Sequence, residues 1–285
     1  MSPTTAPRYD RIVPLIVIVL LGLAVIFLID TNPYILRARL GGDLPTITLS
    51  WILIASLVVI VSVGADLLAR AHPQMQMRTL PTINLGFASF EIAPNFWVLP
   101  SFSVISSFAF FRLFSGTLQG GAFAIALVAA GGLLFTILIA QHYALDRNQT
   151  LSQQARLVLQ IIAYLLVFGC FSAIYNARFR TLYSASLIGS VSALIAYALL
   201  SWTRIRNPAL LSLLVGVMLG EVTWALNYWA SPFLLGGALM LVIFYVATSL
   251  LQHKAEGPLE RRLLIEYGFL GSILLAVVVW ATFRN

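Results

Sequence analysis

Apolar residues run through this chain in long blocks, separated by short polar connections. A helix needs roughly 20 residues to cross the hydrocarbon of a bilayer. Nine blocks come near that length: Ile12–Ile29, Ile47–Leu68, Phe96–Phe114, Gln119–Tyr143, Leu157–Asn176, Leu182–Thr203, Pro208–Trp229, Phe233–His253 and Leu263–Phe283. The pattern predicts an all-α fold, a polytopic integral membrane helix bundle of about nine transmembrane helices. The connections are short, so residues 1–285 read as a single transmembrane domain. Pro100 and frequent serines interrupt the third block, which leaves eight spans and one re-entrant segment as an alternative. The first block is too long for a signal-peptide core and runs into Asp30-Thr31-Asn32-Pro33, so it reads as a retained helix.

Two connections are longer than the rest. Asp30–Thr46 carries Asn-Pro, Gly-Gly and Leu-Pro turn signals. Ala69–Asn95 contains TINLGFASFEI, whose partial alternation predicts a short strand or hairpin, with an irregular loop as the other reading. Small residues recur at a spacing of four: Ala185, Gly189 and Ala193 in the sixth block, Gly216 and Gly220 in the seventh. Such faces let helix backbones approach closely, and packing within the chain is the expected use.

Composition fits lipid as the solvent. Of 285 residues, 60% are hydrophobic and 9% charged, against about 25% charged in soluble domains. The formal net charge is +7. Because the cations sit between apolar blocks, membrane lipid headgroups are the expected partners and nucleic acid is not. Their placement also orients the chain. With the N-terminus cytoplasmic, the inner segments hold Arg8, Arg11, Arg70, Arg78, Arg147, Arg156, Arg204, Arg206, Lys254, Arg261 and Arg262. The outer segments then hold only Arg37, Arg39, Arg112, Arg178, Arg180 and Arg284. This excess predicts an inside N-terminus, in a cell membrane and most simply a bacterial plasma membrane.

One charge lies far from both ends of its block. Glu221 sits within Pro208–Trp229, and an ionisable group at that depth is costly enough to mark function or a structural pairing. At helical spacing Glu221 shares a face with Trp224, Ala225 and Tyr228; Gly216, Gly220, Thr223 and Asn227 share another. The first face is expected to line a polar pocket in the outer half of the bilayer. Arg112, Arg178, Arg180 and Asp30 fall on the same predicted side. The ligand-binding candidates are thus Glu221, Trp224, Asn227, Tyr228, Arg112, Arg178, Arg180 and Asp30. Arginines among them would suit an anionic group.

Other chemistry is poorly represented. His72, His142 and His253 end or follow helices on the predicted inner side, with Asp66 near the first, but no two share ligand spacing along a helix. No metal site is expected, and no cofactor is identified. Cys170, the single cysteine, lies among Phe168, Gly169 and Phe171 and reads as an inert buried thiol. No catalytic sequence motif of the common hydrolase, protease or phosphate-loop kinds is present. The spacing and glycines of Leu80–Leu134 resemble a pattern in small bacterial membrane sensor and vitamin-uptake proteins. Asp30 is similar in placement to the carboxylate of membrane glycosyltransferases that use lipid-linked sugars.

The expected function is a non-enzymatic binding, transport-type or assembly subunit with a pocket around Glu221, alone or with partner membrane subunits or further copies of itself. An enzyme acting on a lipid-linked or anionic substrate at the outer face is the alternative, and a membrane sensor module a third.

Overall fold

The computed structural model describes residues 7–31, 37–38, 47–75, 82–84, 89–91, 94–146, 148–203, 205, 207–228, 232–256 and parts of 265–280. Eight helices account for most of them: α1 Tyr9–Thr31, α2 Leu49–Arg70, α3 Pro94–Leu113, α4 Gly121–Ala144, α5 Gln149–Asn176, α6 Thr181–Ser201, α7 Pro208–Leu226 and α8 Phe233–Glu256. All eight are long and apolar enough to cross a membrane, and the protein is a multi-pass membrane helix bundle of the all-α class. The described residues between 265 and 280 are also helical. The rest of the predicted ninth span, Leu263–Phe283, lies outside the described residues.

Two small antiparallel ribbons accompany the helices. β1 (Arg37–Ala38) pairs with β2 (Ile47–Thr48), and β3 (Thr82–Asn84) pairs with β4 (Ser89–Glu91). The second is the hairpin that TINLGFASFEI predicts. The first moves the start of α2 to Leu49, because the β-branched pair Ile47–Thr48 joins a ribbon instead of opening the helix.

The chain forms two compact units, residues 1–159 and 160–285. In unit 1, α1 to α4 run up and down. Ile12, Ile16, Val19, Leu23 and Ile26 place one stripe of α1 in the core, at the three- and four-residue steps that define a helix face. Ile54, Leu57 and Val61 from α2, Phe108 and Phe111 from α3, and Leu134 and Leu138 from α4 complete that core.

α3 is the most buried of the eight spans and is one continuous helix, so the re-entrant alternative does not hold. Pro100 has no N–H, so the carbonyl four residues earlier, that of Phe96, loses its helical partner. The Gln141 side-chain amide of α4 donates to that carbonyl at 3.0 Å. Serine hydroxyls absorb much of the remaining polarity. Ser101 meets Ser62 of α2 at 2.7 Å and donates to the Trp97 carbonyl at 2.6 Å.

Helix α5 begins at Gln149, well before the apolar run that starts at Leu157. Its first turns, QTLSQQAR, are polar but helix-compatible, and hydropathy reads only the apolar part of a helix. Asn148 closes the N-terminus, its Oδ1 accepting from the Thr150 amide at 3.2 Å and hydroxyl at 2.6 Å.

Unit 2 is built around a close contact of α6 and α7. A Cβ added at Gly216 would lie 2.6 Å from the Gly189 carbonyl oxygen and 2.8 Å from the Ala193 Cβ. One added at Gly220 would lie 3.3 Å from the Ala185 carbonyl oxygen. The small faces predicted from sequence pack on each other. On α5 and α8, Phe171 stacks edge-on against Phe244, Gln160 donates to Gln252 at 3.2 Å and Tyr164 meets Thr248 at 3.2 Å.

Candidate functional site

The face of α7 opposite its glycines carries the candidate acid. Gly216, Leu219, Thr223 and Leu226 are buried, whereas Glu221, Trp224, Ala225 and Tyr228 are exposed. The division follows helical geometry, with α6 taking one side of the helix and leaving the other open. Glu221 lies five residues before the last helical residue, Leu226, about 8 Å along the axis at 1.5 Å per residue. Among the described residues it makes no hydrogen bond or ion pair. Within unit 2, the lining expected around Glu221 is an open helix face, with Tyr228 83% exposed.

Three other candidates reach the same end of unit 2. The Tyr175 hydroxyl at the end of α5 donates to the Leu226 carbonyl at 3.2 Å, joining the ends of α5 and α7. The α5–α6 turn that follows holds Arg178, in a left-handed conformation with φ 46°, and Arg180, whose carbonyl accepts from the Ser184 amide in the first turn of α6. Both arginines are exposed. Asn227 caps α7, and its Nδ2 is buried without a partner among the described residues.

Asp30 and Arg112 belong to unit 1, where they meet. Their closest atoms are 3.9 Å apart, Ser50 donates to Asp30 at 3.0 Å, and the guanidinium lies 5.6 Å from the centre of the Trp51 ring. The cavity beside them measures about 10 Å³, the room of a single water. This cluster ties α1, α2 and α3 together at one end. At 3.9 Å, with Arg112 47% exposed, such a pair contributes about 1 kcal/mol or less.

A larger cavity occupies the opposite end of unit 1, at a place the sequence did not single out. It has a volume of about 270 Å³ and is lined by Arg8, His72, Phe96, Gln141 and His142 together with apolar residues of α1, α2 and α4. The rings of His72 and His142 stand edge to face with centres 4.7 Å apart. His72 is 3% exposed. Burial lowers its pKa below the usual histidine value, His142 adds to that effect, and Asp146 opposes both. The Gln74 amide donates to His72 Nδ1 at 3.3 Å, so the neutral ring carries its proton on Nε2. The signal was present in the sequence only as two histidines at helix ends on one predicted side. Among the described residues, no three or more His, Cys, Asp or Glu side chains are grouped to hold a metal ion.

No curated protein and no solved structure matches the chain. A family model described as "Protein of unknown function (DUF5656)" matches residues 31–281, most of the length, and the chain belongs to that family.

Proposed function

We propose that this protein is a non-enzymatic binding and assembly subunit of a cell membrane, engaged through the Glu221 face of α7 by a transmembrane helix of another chain. The observation that carries the reading is Glu221 itself, exposed beside Trp224 and Tyr228 on a helix whose other face is taken by α6. A carboxyl group facing acyl chains has nothing to hydrogen-bond and is expensive there. A partner helix that brings a hydrogen-bond donor or a cation to that depth removes the cost. Trp224 and Tyr228 add apolar area and polar ends, the combination that anchors interfaces. Arg178 and Arg180 at the same end supply cations for lipid headgroups.

The enzyme alternative has less support. Asp30 and Arg112 meet each other, with Ser50 donating to Asp30, beside a space of about 10 Å³. A lipid-linked substrate needs far more room.

Photocrosslinking tests the reading. A photoreactive residue placed at 224 or 228 in native membranes is expected to give a discrete protein adduct, and Glu221→Leu is expected to reduce it severalfold. The adduct mass separates a second copy of this chain from a different one. Lipid adducts alone at both positions, unchanged by Glu221→Leu, overturn the proposal.

A further inference from the structure

We propose that the cavity at the Arg8 end of unit 1 is a binding site for a phosphate-type oxyanion, with Arg8 as its cation and the His72–His142 pair as its hydrogen-bonding wall. It is separate from the Glu221 face and does not depend on the reading of that face.

The first support is size. About 270 Å³ is near the lower end of small-molecule sites. It admits a phosphate with a few carbon atoms, where the cleft beside Asp30 admits a water. The second support is charge. Arg8 lines the cavity, and among the described residues it makes no ion pair. A guanidinium offers paired donors that suit an oxyanion.

The third support is the donor and acceptor inventory. The His72 Nδ1 accepts from the Gln74 amide, which puts the neutral ring's proton on Nε2, and the ring stands against His142 in the field of Asp146. Gln141 is held in place, since its amide nitrogen donates to the Phe96 carbonyl. Its position is set by the proline of α3 and not by a ligand. The remaining wall is apolar, from Phe96 and the leucines and alanines of α2 and α4. It would hold the carbon portion of a ligand or the upper part of an acyl chain. A metal ion fits less well, because the cavity presents a guanidinium and the nearby His and Asp groups are not arranged as ligands.

The oxyanion has two possible sources: the headgroup of an anionic lipid and a soluble phosphate compound. The lining gathers where the ends of α1, α2, α3 and α4 meet, with Arg8, His72 and Pro73 just outside the apolar spans, where both are within reach.

The test uses the full chain in nanodiscs of neutral phosphatidylcholine. In one arm phosphatidylglycerol is added and bound lipid is counted by native mass spectrometry. In the other, inorganic phosphate is titrated and followed by phosphorus NMR. The wild type is expected to bind at least one of the two probes. Arg8→Gln is expected to weaken that binding about tenfold, Arg8→Lys to recover part of it, and His142→Gln to weaken it severalfold. Lys254→Gln, in unit 2, serves as the charge control and leaves binding unchanged. Binding of the lipid alone assigns a headgroup; binding of phosphate in the neutral bilayer assigns a soluble ligand. The proposal is overturned if neither probe binds, if Arg8→Gln and Lys254→Gln have the same effect, or if zinc binds in place of both probes and is lost in His142→Gln but kept in Arg8→Gln. Helical circular dichroism and elution as a single species show that each variant is folded. A failed crosslink at α7 with intact binding here would leave this site standing, and the reverse holds equally.

Discussion

Pro100 and Gln141 are 41 positions apart in the chain, yet the second makes the first tolerable. A proline inside a helix removes one backbone hydrogen bond and leaves a carbonyl exposed. In water the solvent would satisfy it, but where the start of a span is buried against a neighbouring helix another side chain must. Gln141 is 4% exposed and donates to the Phe96 carbonyl at 3.0 Å. Replacing it by leucine keeps the volume but leaves that carbonyl alone. Gln141→Leu is expected to destabilise the bundle by about 1–3 kcal/mol. Gln141→Leu combined with Pro100→Ala is expected to recover much of the loss, because alanine restores the N–H. Unfolding of the four proteins in mixed detergent measures the coupling; equal costs of Gln141→Leu with and without Pro100 would rule the pairing out. The sequence shows the proline but hides its partner, since a glutamine in an apolar run has no local feature that names the carbonyl it will meet. The His72–His142 cavity is hidden for the same reason: its polar walls are 70 residues apart and meet only when α2 and α4 pack.

At the scale of helices, the spans were legible because hydropathy reports directly on the lipid-facing and core-facing parts. Its errors are physical too. Polar but helical turns extend α5 back to Gln149, and a β-branched pair removes Ile47–Thr48 from α2. The α6–α7 contact was legible from the four-residue recurrence of small residues, since only small side chains allow backbone contact. Its consequence can be measured. Gly216→Ala would set a Cβ against the Gly189 carbonyl oxygen and the Ala193 methyl, at 2.6 and 2.8 Å. Both helices must then separate, at a cost of about 1–3 kcal/mol. Gly132 of α4 has nothing within 4 Å of such a Cβ. There the same change is expected to be neutral or to stabilise by up to about 1 kcal/mol, because alanine favours the helix. Denaturant titration should show a loss of stability for Gly216→Ala and none for Gly132→Ala; a Gly216→Ala protein as stable as the wild type would mean that the contact is looser than the glycines indicate. The same contact bears on Glu221: with its glycine side committed to α6, α7 carries the acid on an exposed face.

For the whole molecule, the end of the bundle that faces the cytoplasm decides which compartment meets each candidate site. Unit 1 provides an internal check. Arg8, His72, Phe96 and His142 gather at one end of α1–α4, and Asp30, Ser50 and Arg112 at the other, as an alternating up-and-down chain requires. Taken by unit, the arginine bias has the same sign twice. Residues 1–159 carry Arg8, Arg11, Arg70, Arg78, Arg147 and Arg156 on the predicted inner side against Arg37, Arg39 and Arg112. Residues 160–285 carry Arg204, Arg206, Lys254, Arg261 and Arg262 against Arg178, Arg180 and Arg284. Two units inserted in series cannot choose their orientations separately, so agreement between them strengthens an inside N-terminus beyond either tally. The oxyanion cavity would then open toward the cytoplasm, and Glu221 would lie toward the outer leaflet. In a Cys170→Ala background, Thr117→Cys should react with an impermeant maleimide on intact cells, and Lys254→Cys only after the membrane is opened. Both positions are exposed, so a lack of labelling at Thr117 with labelling at Lys254 would invert the topology. It would also exchange the compartments from which the cavity ligand and the α7 partner must come.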